Sequence, residues 1–296
     1  MPMVRTRNVL GGLRVREAMR RQQVLARADE TARRGVARMI KFKSDYLLIT
    51  DDQGAAAGIV TQTDMTGAYY AGLPVETTLG EMMIGPLRCC YLDDPLEDAL
   101  ETMGREQVGQ LFVRGADAEK IEGVLTYSDI LGLVYRFCRH CRKSRYRMEV
   151  EGNGAAPGGE VRVEAVMDPE VNRCDCRIDL IRLMEILTTQ GMGAVLLDGS
   201  DGRPAGVVSK SDLVIAWYRG VDPTAAAMTI MSRPVQTCHR RDTLTDAIAR
   251  MLFVDLGRIF VHDADPGEIV GVMSLASAAR HRSGTCKACI ASRLVA

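Results

Sequence analysis

The sequence predicts an α/β protein made of four β-α-β-β-α units in two matching halves. Three observations carry this reading. A run of Gly, two apolar residues and then Thr or Ser occurs four times, beginning at Gly58, Gly123, Gly206 and Gly271. A methionine precedes each glycine by 39 or 40 residues, at Met19, Met83, Met167 and Met231. The first two units map onto the last two at a single offset of 148 residues. One such run marks any strand that enters a helix, but four at a fixed offset with a matching methionine mark a repeat.

The elements follow in order within each unit. After the methionine comes a short extended run, as in Pro234-Val235-Gln236-Thr237-Cys238. A helix follows, with its apolar residues on one face: Leu96, Ala99 and Met103; Leu180, Leu183 and Leu187; Leu244, Ala247 and Met251. Two apolar runs come next, such as Ala194-Val195-Leu196-Leu197 and Gly206-Val207-Val208, separated by the turn-forming Asp198-Gly199-Ser200-Asp201-Gly202. The closing Thr or Ser, with Asp three residues later, is the start signal of a second helix. The boundaries read as an extension over 1–14, units at 15–72 and 76–147, a Gly- and Pro-rich linker at 148–160, and units at 161–220 and 224–296.

Composition narrows the function. In 296 residues, 47% are hydrophobic and 26% charged, which suits a globular protein that buries its own cores. Lys+Arg and Asp+Glu both number 38, so the formal net charge is zero. That disfavours nucleic acid as the main partner, because such affinity comes from summed phosphate neutralisation. No apolar stretch approaches the roughly 20 residues that a bilayer requires, and the N-terminal residues carry no apolar segment of a signal peptide. A cytoplasmic location with reduced thiols is therefore expected, and nine cysteines need an explanation other than a disulfide framework.

The β-α-β-β-α unit, the methionine opening and the closing Gly-apolar-apolar-Thr/Ser-x-x-Asp resemble the cystathionine β-synthase (CBS) domain. The resemblance runs from about Val15 to Ala279. It implies that units pair into two pseudo-two-fold (Bateman) modules, an architecture similar to the gamma subunit of AMP-activated kinase. It also implies adenosine-type ligands (AMP, ADP, ATP or related nucleotides) in clefts between paired units. The closing Asp would take the ribose hydroxyls, and the Thr or Ser would lie near phosphate or ribose. Carried over by position, the candidates are Thr61 and Asp64, Thr126 and Asp129, and Ser209 and Asp212. The residues themselves suit that use: a carboxylate only accepts hydrogen bonds and so matches a vicinal diol, and a helix N-terminus favours phosphate. The same residues also read as plain helix caps. Lys210 and Arg258 are candidate partners for phosphate charge. The fourth unit departs from the pattern, with Ser277 where Asp stands elsewhere and Ala276 where Thr or Ser stood.

A second feature lies outside that pattern. Cys138-Arg139-His140-Cys141 and Cys286-Lys287-Ala288-Cys289 are offset by the same 148 residues. Four thiolates from two such pairs suit tetrahedral Zn²⁺, so Cys138, Cys141, Cys286 and Cys289 are expected to form a structural site joining the modules. Basic neighbours from Arg136 to Arg147 would favour the thiolates. An iron–sulfur cluster ranks behind zinc, and a dithiol switch or inert inherited pairs are the other readings. Cys90, Cys174 and Cys238 each stand seven residues after their methionine, where the first unit has Ala26. They read as small buried apolar residues. Cys89 and Cys176 suggest no role.

The sequence thus points to a non-catalytic regulatory protein, expected to be a homodimer, that binds an adenosine-type small molecule and acts on an effector protein in trans. The alternative is a metal- or redox-responsive scaffold sensed through the paired cysteines. Almost no residues remain for a catalytic domain, and no nucleophile–base pattern or phosphate loop is present.

Overall fold

The computed structural model describes residues 12–117, 120–139, 161–189, 191 and 193–282. The expected order appears four times. The first unit comprises α1 (Val15–Ala18), β1 (Leu25–Arg27), α2 (Ala32–Phe42), β2 (Tyr46–Thr50), β3 (Ala56–Thr61) and α3 (Gln62–Tyr70). The second comprises α4 (Leu79–Met82), β4 (Cys89–Tyr91), α5 (Leu96–Arg105), β5 (Gln110–Arg114), β6 (Ile121–Thr126) and α6 (Tyr127–Arg139). The third opens on a 3-10 turn (Val163–Ala165) and continues through β7 (Arg173–Asp175), α7 (Leu180–Thr189), β8 (Ala194–Asp198), β9 (Pro204–Ser209) and α8 (Lys210–Tyr218). The fourth opens on another (Ala227–Thr229), then β10 (Thr237–His239), α9 (Leu244–Val254), β11 (Arg258–His262), β12 (Ile269–Ser274) and α10 (Leu275–Arg282).

Each unit holds one three-stranded sheet in sequence order. The first two strands pair in parallel across the helix crossover, and the last two form an antiparallel hairpin. The predicted helix faces are the buried ones: Leu96, Ala99 and Met103, Leu180, Leu183 and Leu187, and Leu244, Ala247 and Met251 are all 3% exposed or less. The helix between the first two strands of each unit is followed by a left-handed residue, at Lys43, Gln107, Gly191 and Asp255. Only the third unit uses glycine there, where that conformation carries no steric cost. Across the middle of the molecule the Lys43 ammonium pairs with Asp255 (3.4 Å), tying the first unit to the fourth.

The opening segments cross over. Residues around each methionine do not complete their own unit but add to the sheet of the partner in the same half. Arg20 and Val124 exchange two backbone hydrogen bonds (2.9 and 2.9 Å), as do Ile84 and Ile59 (2.9 and 2.9 Å). Asp168 with Val272 (2.8 and 2.9 Å) and Ser232 with Val207 (2.8 and 3.1 Å) repeat the arrangement. The turn just before each methionine is anchored the same way, with Val15, Leu79, Val163 and Ala227 fully buried. Burial of a Val or Leu side chain contributes about 1.5–3 kcal/mol.

This crossing accounts for the repeated glycine. A Cβ on Gly123 would lie 2.5 Å from the Arg20 carbonyl oxygen and 3.1 Å from Met19 Sδ. Gly58 faces Ile84 and Met83, Gly206 faces Met231 and Ser232, and Gly271 faces Met167 and Asp168 in the same manner. The methionine and glycine of one sequence unit are therefore not partners. Each methionine packs on the glycine of the neighbouring unit.

Two kinds of interface close the ring. Within a half, the sheets pack through small apolar clusters: Tyr46, Leu48, Phe112 and Val124 in the first half, and Leu196, Phe260 and Ile269 in the second. Between halves, the helices merge into two large cores. One core joins the first unit to the third, and the other joins the second to the fourth. Trp217 Nε1 donates to the Leu73 carbonyl (3.0 Å) and the Tyr69 hydroxyl to the Val221 carbonyl (2.7 Å), so the aromatic polar atoms at this seam are satisfied.

The small-residue column is as expected at three of its four positions. Ala26, Cys90 and Cys238 are buried, and burial pushes the Cys90 and Cys238 thiols up to about 12 and about 11. Cys174 is only half-buried, and Cys176 two residues on is the buried cysteine of the third unit, packed in the core with Leu180. The 148–160 linker lies outside the described residues.

Gly123→Ala is expected to destabilise the protein by about 1–3 kcal/mol, because the crossing backbone cannot retreat. Gly67→Ala, inside α3 with open space around its Cβ position, is expected to stabilise by about 0.5–1 kcal/mol. Denaturant midpoints of both variants check the contrast. Equal effects would show that the crossing is not tightly packed.

Candidate functional site

Each closing motif builds a capping box on the second helix of its unit. Thr61 is the N-cap of α3, and its backbone N–H and hydroxyl both donate to Asp64 Oδ2 (2.7 and 2.7 Å). Thr126 bonds Asp129 Oδ2 in the same way (2.9 and 2.6 Å), and Ser209 bonds Asp212 Oδ2 (2.7 and 2.6 Å). The capping expectation is therefore realised, but with one carboxylate oxygen only. What the other oxygen meets differs from cleft to cleft.

That difference comes from the residue after the crossing methionine. Asp129 Oδ1 pairs with Arg20 Nε at 2.8 Å, and its side chain is 9% exposed. Burial pushes the Asp129 carboxyl above its usual range, against the opposing pull of Thr126 and Arg20. Asp212 Oδ1 accepts from the Ser232 hydroxyl (2.8 Å). At Asp64 the equivalent crossing residue is Ile84, which is 56% exposed and has nothing to donate. Among the described residues Asp64 Oδ1 has no hydrogen-bond or ion-pair partner. In the fourth unit Ser277 completes a neutral box with Ser274, and the carboxylate in that neighbourhood, Asp168, sits on the crossing segment instead.

Charge of the opposite sign stands beside the Asp64 cleft. The first turns of α3 and α8 face each other. Lys210 Nζ donates to Thr63 Oγ1 (2.8 Å), and Ser211 Oγ donates to Gln62 Oε1 (3.1 Å). Burial, and then the neighbouring Arg258, hold the Lys210 ammonium below its usual range, while Asp64 pulls the other way. The Arg258 guanidinium lies against Gly193, where a Cβ would collide with Nη2, and burial lowers it as well. Among the described residues no carboxylate lies within ion-pair distance of Lys210 or Arg258. A cation of the second half, Lys210, thus stands within electrostatic reach of an available carboxylate of the first, with Arg258 beside it.

A cavity of 720 Å³ opens elsewhere, beside the Ser232 crossing, lined by Arg203, Pro204, Arg233, Pro234, Thr237 and Asp265 among others. Its Arg203 is paired with Asp265 (2.8 Å), and none of Ser209, Lys210 or Asp212 lines it. Sequence reading found the closing residues but missed Arg20, Ile84, Asp168 and Ser232. Their signal was the position one beyond each repeated methionine, hidden because it serves the neighbouring unit.

Of the four cysteines expected to bind metal, Cys138 lies on the α6 backbone, and Cys141, Cys286 and Cys289 lie outside the described residues. Among the described residues no group of three or more His, Cys, Asp or Glu could hold a metal ion. Among them, too, no helix is long and apolar enough to cross a membrane.

Arg20→Met is expected to lower stability at pH 7 by about 1–2 kcal/mol, since Asp129 is left buried without its cation and Arg20 itself is half-exposed. Without Arg20 the folded Asp129 pKa rises further. The deficit is therefore full at neutral pH and vanishes once pH falls below the ordinary carboxylate range, where folded and unfolded states are both protonated. Unfolding midpoints at pH 7 and pH 3.5 check this. A deficit that persists at pH 3.5 would contradict it.

Compared with known families, residues 15–71, 79–136 and 227–284 match the CBS domain. The remaining unit has the same strand order, register and crossing, so the four three-stranded sheets are four CBS units in a tandem-module arrangement. Comparison of the sequence with curated proteins gave no match. Among solved structures, protein MJ1225 from Methanocaldococcus jannaschii, described as a candidate archaeal homologue of g-AMPK, aligns over 91% of this chain and 99% of its own, with 15% identity and a TM-score of 0.74. A conserved protein from Pyrococcus horikoshii aligns over 91% of this chain and 100% of its own, with 17% identity and a TM-score of 0.57. Matched by family over more than half its length and by fold over nine-tenths, the chain belongs to the CBS domain family.

Proposed function

We propose that this chain is a non-catalytic regulatory protein that binds adenosine-type nucleotides in clefts between paired CBS units. The observation that carries the reading is the Asp64 cleft. Asp64 keeps one oxygen for the cap, and its other oxygen, without a partner among the described residues, would take a ribose diol beside the exposed apolar Ile84, while Lys210 and the neighbouring Arg258 would take phosphate. A carboxylate acceptor for hydroxyls beside cations for an anion matches the polarity of a nucleotide. Thr61, Thr126, Asp129, Ser209 and Asp212 occupy the equivalent positions of the other clefts and of this one. The ligand would span both halves, because Asp64 and Lys210 come from different modules. Binding would then change how tightly the modules pack, and an effector protein in the cytoplasm would read that change.

The Lys210 ammonium carries a cost at neutral pH that is relieved only as pH rises toward the ordinary lysine range, and a bound phosphate would relieve it too. Lys210→Met is therefore expected to keep or raise the unfolding midpoint of the ligand-free protein while weakening AMP binding about tenfold or more, the worth of one charge-assisted hydrogen bond. Thermal shift with AMP, ADP, ATP, S-adenosylmethionine and NADH reads both effects. No shift with any of them, in the wild type, would end the nucleotide reading.

A second reading is favoured by one placement. The helices that precede the two Cys-x-x-Cys pairs, α6 and α10, pack together in one core through Ile130, Leu131, Ala278 and Ala279. A Cys₄ zinc site from Cys138, Cys141, Cys286 and Cys289 would clamp the halves at this seam, and an iron–sulfur cluster there would make it redox-responsive. Metal analysis should find one zinc per chain that is lost in Cys286→Ser, with no visible absorption. Metal content unchanged by that substitution would exclude a shared site.

A further inference from the structure

The four clefts are built on one plan, and they differ chiefly in what crosses them. The residue that follows the opening methionine of the partner unit pairs with the strand residue five positions before each closing position: Ile84 in the Asp64 cleft, Arg20 in that of Asp129, Ser232 in that of Asp212 and Asp168 in that of Ser277; Arg20 and Ser232 reach the closing carboxylate itself. We propose that this crossing residue decides which clefts can take a nucleoside diol, and that the Asp64 cleft is the open one. The inference rests on the nucleotide reading above and adds the determinant of occupancy.

The physical case is a competition for one oxygen. A diol binds a carboxylate by donating to a lone pair that is free or cheaply freed. At Asp129 that oxygen is already paired with a guanidinium at 2.8 Å, in a site where the carboxyl is 9% exposed. Charge-assisted pairs of this kind are about twice as strong as neutral hydrogen bonds, and a neutral hydroxyl cannot repay the loss of the arginine. The Arg20 side chain fills the place of the ligand, so that cleft is locked from within. At Asp212 the oxygen is already satisfied by the Ser232 hydroxyl at 2.8 Å, so a diol there would trade one neutral hydrogen bond for another with no net gain, and that cleft stays empty. At Ser277 no carboxylate is present on the closing motif, so a diol finds no ionised acceptor there. Only Asp64 presents an acceptor with no partner among the described residues, under an apolar neighbour that a base could cover.

The lock is also portable. Ile84 is 56% exposed, so an arginine can be placed there without disturbing a core. Isothermal titration of the full-length protein with AMP tests the proposal, with 2′-deoxy-AMP as the probe of diol recognition. The wild type should bind one AMP per chain, lose it in Asp64→Ala, keep it in Asp129→Ala, and bind 2′-deoxy-AMP about tenfold or more weakly. Ile84→Arg should abolish that site. Arg20→Met should raise the stoichiometry to two, and Asp129→Ala in that background should return it to one. Binding that survives Ile84→Arg at wild-type affinity, or that is lost in Asp129→Ala rather than Asp64→Ala, overturns the proposal while leaving a nucleotide-binding protein. No binding by the wild type or any variant overturns both.

Discussion

Paired backbone hydrogen bonds between Arg20 and Val124, and their counterparts at Ile84–Ile59, Asp168–Val272 and Ser232–Val207, are the joints on which the rest of the molecule depends. Each sheet is extended on one side by a segment from the neighbouring unit. A unit removed from its partner would lose that segment and the fully buried residue before it, such as Val15 or Leu79. The joint also fixes chemistry. Because the crossing backbone must pass within contact distance of Gly58, Gly123, Gly206 and Gly271, it brings the next residue alongside the strand that leads to each closing motif, where Arg20 reaches Asp129 and Ser232 reaches Asp212.

From that geometry the two halves acquire different roles at one cleft. The carboxylate of Asp64 belongs to the first unit, the apolar Ile84 to the second, Lys210 to the third and Arg258 to the fourth. Lys210 meets Thr63 across the halves because the helices merge between halves while the sheets merge within them. A ligand held by Asp64 and Lys210 together, as proposed, would be sensitive to how the modules sit on one another.

Much of this was legible in the amino-acid sequence. The four units, their element order, the buried helix faces and the Thr/Ser–Asp caps are local patterns repeated at a fixed offset, and repetition separates them from chance. The crossing was not legible. Met19 and Gly58 recur together along the chain, yet Met19 packs on Gly123 and Met83 on Gly58, and a linear spacing cannot distinguish the two pairings. The unequal clefts were hidden for the same reason, since Arg20 lies 109 positions from Asp129 in sequence while its Nε sits 2.8 Å from Oδ1 in space. The fourth motif was readable as defective from Ser277 alone, but the backbone pairing of Asp168 with Val272 was not. Cys174 shows a smaller limit: a column of Ala and Cys implied burial, and the third unit shifted that burial to Cys176.

The central claim is that one cleft, assembled by the crossing of the second unit onto the first, receives the nucleotide. Hydrogen–deuterium exchange with and without AMP tests it most directly, because the cleft is made of two segments that are distant in the chain. The claim predicts protection of residues 58–64 and 83–86 together, with 123–129 and 19–21 unchanged. Protection centred on 123–129 and 19–21, or spread equally over all four crossings, would contradict it.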